Sequence, residues 1–148
     1  MFGLLSKKNV VTGVEINSTN EIDVLKELAA QTARKLNLDE QEMRSGLFAS
    51  AAASTNRMTG DHIFITHATT SGVKEPKAAL ITFANPVNWN GTNAVDYALV
   101  VVMPADAGDS NYDDIADQAE SVFSNHASEL DGLIGNAGEL NKIVKEIL

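Results

Sequence analysis

His67 follows the apolar stretch Ile63-Phe64-Ile65-Thr66 and is followed by Ala68-Thr69-Thr70-Ser71-Gly72. A short strand that stops at an imidazole and then gives way to hydroxyl and glycine residues is how a rigid scaffold delivers a reactive side chain to a loop edge. A neutral ring nitrogen can act as a nucleophile toward a phosphoryl group carried by a partner, provided that donors hold the transferred oxygens. Thr66, Thr69, Thr70, Ser71 and the N–H groups of the loop are such donors, and Arg57 adds a planar cationic fork suited to an anion. His62 falls on the opposite side of a regular strand from His67, which makes it a candidate modulator and not a second nucleophile.

Other chemistries lack their patterns. Ser71, His67 and Asp96 could be assembled as a hydrolytic triad, but there is no G-x-S-x-G turn. His62 and His67 are not an HExxH pair, and Asp106-Ala107-Gly108-Asp109 lacks the extended oxygen-ligand spacing of a calcium loop. Gly60 and Gly72 form neither a P-loop nor a dinucleotide fingerprint. No metal or cofactor is therefore expected.

Several elements must position these residues. Val10-Val11 and Val14-Glu15-Ile16 suit a short strand or an extended lead-in. Ser18 with Glu21 fits a capping box, with Thr19 as the alternative cap, and Ile22, Leu25, Leu28, Ala29, Ala33 and Leu36 recur at helical spacing up to Asn37. A second helix opens at Leu38-Asp39 and buries Met43, Leu47, Phe48 and Ala51, while the small residues 49–53 allow close approach to a neighbour. His62–Thr66 reads as a strand, Thr69–Gly72 as a loop, Ala78–Phe83 as a second strand and residues 85–91 as turns pinned by Trp89. Val95–Met103 is an almost continuous apolar run ended by Pro104, as expected for a strand covered on both faces. Ser110 or Asn111 is placed to cap a helix through Ile115, Ala119, Val122 and Phe123, with His126 near its far end. The chain closes with Leu130, Leu133, Ile134, a Gly135-Asn136 break and a final helix carrying Leu140, Ile143, Val144 and Ile147. This is a layered α/β domain over residues 1–148.

The 148 residues include 11 basic and 20 acidic side chains, a formal charge of −9, without a dense Lys/Arg run. Nucleic acid and anionic membrane surfaces are poor partners for such a chain, whereas a basic protein face is favoured in encounter. The absence of cysteine excludes disulfides, a thiol nucleophile and cysteine-based metal sites. No signal-peptide pattern opens the sequence and no apolar run has membrane-spanning length, so a cytoplasmic location is expected, with no insertion into a membrane.

Thr59-Gly60, Ile63, Ile65-Thr66-His67-Ala68, Gly72-Val73-Lys74, Pro76, Pro86-Val87, Trp89 and the Val95–Met103 strand with Pro104 together resemble the enzyme IIA domain of the fructose-mannitol class of bacterial phosphoenolpyruvate-dependent sugar phosphotransferase systems. The resemblance implies the enzyme IIA fold of the phosphotransferase/anion transport type, a single-layer central mixed β-sheet flanked by helices. It also implies a phosphocarrier in which His67 accepts a phosphoryl group from the carrier HPr and passes it to a IIB component for sugar uptake. In this sequence Thr66 stands where the family usually has proline, and His62 occupies a usual glycine position. The family's Arg-Glu pair falls near Ser54 and Thr55, with Arg57 the nearest arginine, and its second histidine falls at Asn111, next to Tyr112. His67, Arg57 and Asn111 are thus the expected catalytic set. A diverged regulatory or sensory relative, whose output is partner binding, is the second reading. The sugar and any self-association are left open.

Overall fold

The computed structural model describes residues 9–17, 20–53, 56–60, 62–89, 93–107 and 109–148. Its strands are β1 (Val10–Val14), β2 (Arg57–Thr59), β3 (Ile63–Thr70), β4 (Lys77–Trp89) and β5 (Asn93–Pro104). Its helices are α1 (Glu21–Leu36), α2 (Glu40–Ala52), α3 (Asp109–Asn125), α4 (Ala127–Leu133) and α5 (Ala137–Ile147). The strands form one sheet in the order β1-β4-β5-β3-β2. Pairing is parallel for β1 with β4 and for β3 with β5, and antiparallel for β2 with β3 and for β4 with β5. The sheet is mixed, as expected.

The apolar run in β5 owes its continuity to the middle position of that strand. Tyr97, Leu99, Val101 and Met103 enter the core beneath α3, α4 and α5, while Ala98, Val100 and Val102 enter the core beneath α1 and α2. Side chains alternate across a strand, so a strand covered on both faces must be apolar at every position. The same alternation divides β3: Ile63 and Ile65 face the α3 side, and Phe64 and Ala68 face the α1–α2 side.

In α1 the buried stripe is Val24, Leu25, Leu28, Ala29, Thr32 and Ala33, and Ile22 is left exposed. The Ser18 and Thr19 caps expected from sequence lie outside the described residues; Asn20 caps α1 by accepting from the N–H of Ile22 at 2.8 Å. Asn37 ends α1 in the left-handed conformation, with φ of 58°. Asp39 caps α2. That helix buries Met43, Leu47 and Ser50, so the inward residue in its last turns is a serine, with Phe48 and Ala51 only partly covered.

Two expected loops are strands. Thr69 and Thr70 continue β3 because Met103 and Pro104 of β5 extend the parallel ladder beside them. Residues 85–89 belong to β4, with Val87, Asn88 and Trp89 opposite Val95, Ala94 and Asn93. The turn-forming Asn85 and Pro86 are absorbed by a register irregularity between Thr82 and Val87, where the ladder makes no demand on a proline nitrogen. Trp89 is buried and packs on Phe64 with ring centroids 4.1 Å apart, an anchor within the fold.

Candidate functional site

His67 sits within β3, opposite Val101 and three residues short of the strand end. The β2 ladder covers only Ile63 to Ile65, so His67 lies past the end of β2, where Ser50 of α2 reaches its ring. The approach of α2 to β3 is set by Gly46: a Cβ there would lie 2.5 Å from the Cβ of Ala68. One helical turn later Ser50 lies on the same side of α2. Its Oγ is 3.1 Å from Nδ1 of His67 and donates to Oδ1 of Asn56 at 2.8 Å. With the hydroxyl proton directed to Asn56, Oγ accepts from Nδ1–H, which places the imidazole lone pair on Nε2. The ring is half-buried and stacks on Tyr112 of α3, with centroids 3.8 Å apart and planes 21° from parallel. Burial pushes the Tyr112 hydroxyl up to about 12, the charge of Arg57 opposing, so the stacked phenol is neutral at physiological pH.

Arg57 is across the strand pair from Ile65 and so shares the α3 side of the sheet with His67. It does not stand open to an anion. Nη1 contacts Asp117 at 2.6 Å and Glu120 at 2.9 Å, and Nη2 contacts Asp113 at 3.2 Å, all on α3. The hydrogen bond to Asp117 leads in raising the guanidinium pKa above its ordinary range, with burial opposing it and Glu120 adding to it. The arrangement joins β2 to the outer side of α3 beside Tyr112.

The expected hydroxyl donors separate. Thr66 is buried and donates to Ser50 at 3.5 Å, and Thr70 is buried, engaged by Glu42 and by the N–H of Gly72. Both therefore belong to the α2 side and do not line an open phosphoryl pocket; the strict alternation of β3 is the reason. Thr69, exposed and two residues from His67, shares its side of the strand, and Ser71 is exposed in the following turn. Asn111 is exposed in the first turn of α3, and it is its neighbour Tyr112 that meets His67. His62 contacts Asp96 at 2.8 Å and not His67, from which it is separated by five strand steps, about 16 Å. Ser54 and Thr55 lie outside the described residues.

Sequence reasoning missed Ser50 and Tyr112 as neighbours of His67. Each left a trace: Met43, Leu47 and Ser50 follow helical spacing with a hydroxyl on the apolar stripe, and Tyr112, Ala116, Ala119 and Phe123 do the same with a phenol.

The sequence model of the family described as phosphoenolpyruvate-dependent sugar phosphotransferase system, EIIA 2, matches residues 3–126. The chain belongs to the EIIA 2 family. Membership implies participation in phosphoryl transfer among phosphotransferase-system proteins, and the matched span contains Ser50, Arg57, His67 and Tyr112. Two solved structures share this fold. The nitrogen regulatory protein IIA-Ntr from Neisseria meningitidis superposes with a TM-score of 0.71 at 18% identity, over 94% of each chain. A putative PTS IIA domain from Streptococcus pyogenes M1 GAS gives 0.63 at 19% identity, over 98% of this chain and 95% of that one. No curated protein matches the sequence significantly. Among the described residues no helix is long and apolar enough to cross a membrane.

Proposed function

We propose that this EIIA 2 family member is a cytoplasmic phosphocarrier that accepts a phosphoryl group on His67 from phospho-HPr and passes it to a IIB component, feeding sugar uptake and phosphorylation. The observation that carries the reading is the posture of His67: Nδ1 lies 3.1 Å from Ser50 Oγ and one ring face lies on Tyr112. In the forward step Nε2 attacks phosphorus, the new N–P bond forms as the donor's N–P bond breaks, and the donor imidazole keeps the electron pair. Positive character then spreads onto the His67 ring, and Ser50 Oγ stabilises it by accepting from Nδ1–H. Thr69, Ser71 and nearby backbone N–H groups are available to the phosphoryl oxygens. Arg57 becomes a clamp when the incoming dianion competes with Asp113, Asp117 and Glu120 for its guanidinium. Transfer to IIB is the same displacement reversed.

Incubation with phospho-HPr, followed by mapping of the acid-labile phosphate, tests this. A label on His67 that moves on to a IIB domain and is lost in His67→Asn supports the carrier; no label on the folded protein overturns it. The fold shared with a protein titled nitrogen regulatory favours one second reading, in which phosphorylation of His67 changes the binding of another protein. A His67 that takes the label but passes none to any IIB partner points to that reading.

A further inference from the structure

We propose that His62, Asp96 and Asp131 form a binding site for a first-row divalent transition-metal ion, at the opposite end of β3 from His67. His62 precedes β3, Asp96 lies in β5 and Asp131 lies in α4, and one ligand atom from each falls within 4.8 Å of the other two. The donor set is an imidazole nitrogen with two carboxylates from three separate elements, which is why no motif spacing reveals it.

The three elements are locked together without an ion. The carbonyl of His62 accepts from the N–H groups of Asp96 and Tyr97 at 3.1 and 3.2 Å, which fixes the first two ligands relative to each other. The Tyr97 hydroxyl donates to the carbonyl of Leu130 at 2.6 Å in the buried core, which pins α4 against β5 one residue before Asp131. The Cδ2–Nε2 edge of His62 lies beside Gly60, where a Cβ would come to 3.4 Å, and Nδ1 is turned toward Asp96. Such support fixes ring direction before a ligand arrives.

Among the described residues neither Asp96 nor Asp131 forms an ion pair with Lys or Arg, so two carboxylates face one site with only an imidazole between them. A mixed nitrogen and oxygen set favours Zn²⁺ or Mn²⁺ over Ca²⁺ and Mg²⁺, which prefer oxygen alone. Zinc bonds of about 2.0–2.1 Å in tetrahedral geometry set ligand atoms roughly 3.3 Å apart. The 2.8 Å contact between His62 and Asp96 therefore opens by a few tenths of an ångström, and exposed Asp131 swings in. Binding displaces to solvent the Nδ1 proton that the contact with Asp96 holds, so that the ring, protonated on Nε2, gives its Nδ1 lone pair to the ion, with water filling the remaining position. The net charge of −9 favours cation uptake.

Titration of the tag-free, metal-stripped full chain with ZnCl2, by calorimetry and by melting temperature, tests the site. One saturable equivalent and a raised melting temperature are expected, with Kd raised at least tenfold in Asp131→Asn and in His62→Gln. Asp131 is exposed, so its variant keeps the fold, which circular dichroism checks. His126, the other histidine flanked by carboxylates, and His67 serve as controls: His126→Asn and His67→Asn should bind zinc as the parent does. Absence of saturable binding, unchanged affinity in Asp131→Asn, or loss of binding in either control variant overturns the proposal.

Discussion

At the scale of single residues, the reactivity of His67 depends on which nitrogen holds the proton, and Ser50, 3.1 Å from Nδ1, is the contact that bears on it. Ser50→Ala removes the acceptor for Nδ1–H, leaves Thr66 and Asn56 without their partner, and frees the ring to turn. Phosphoryl uptake from phospho-HPr is expected to fall by about tenfold, since displacement of a reacting atom by about 1 Å costs up to 100-fold. Single-turnover labelling measures it, and Ser50→Thr, which keeps the oxygen, should recover part of the rate. The stacking partner behaves differently. Tyr112→Phe retains the ring against His67, so its uptake should stay within about twofold of the parent, whereas Tyr112→Ala should lose both uptake and core stability, by about 3 kcal/mol or more for removal of a buried aromatic. Equal losses in the two variants would mean that the hydroxyl, and not the stacked face, is what His67 uses.

At the scale of elements, the site is made where α2 closes on β3 and where α3 covers the same strand from the other side. Gly46 sets the first contact. Gly46→Ala places a methyl against the Cβ of Ala68, and overpacking of this kind costs roughly 1–3 kcal/mol. The urea midpoint should fall with an unchanged m value, and uptake at His67 should fall further than stability explains, because Ser50 is carried away with the helix. The second contact runs through Arg57. Its three carboxylate partners are on the exposed side of α3, and such pairs are each worth about 0–1 kcal/mol. Arg57→Gln should therefore cost about 1 kcal/mol, more at low salt than at high, while slowing phosphoryl transfer. A variant that transfers at the parental rate would show that Arg57 stays with α3 throughout.

At the scale of the whole molecule, charge sets how stability depends on pH. His126 lies between Glu129 and Glu146, joining α4 to α5, and the hydrogen bond to Glu129 leads in raising its pKa above the ordinary histidine value, with burial opposing. A group with a raised folded-state pKa binds more protons folded than unfolded. Its contribution is full below about pH 6.5 and is lost as pH rises through the folded pKa. Urea unfolding at pH 6 and pH 9 should show that loss, under about 1 kcal/mol because the carboxylates are solvent-screened, and His126→Gln should flatten it. The sequence by itself determined the class of fold, since the almost continuous apolar run of β5 calls for two covering layers, and helical spacing marked the helices that cover them. It also singled out His67, because a histidine among strand and hydroxyl residues is a local pattern. Tertiary structure alone decided the rest. Asn85 and Pro86 read as a turn until β5 supplies the partner strand, and Thr66 and Thr70 read as phosphoryl donors until the strand continues and turns them toward α2. Ser50, Tyr112 and the carboxylates on Arg57 come from helices that meet β2 and β3 only in space. Local sequence encodes periodicity, whereas the tautomer and partners of a side chain are set by contacts between elements far apart in the chain.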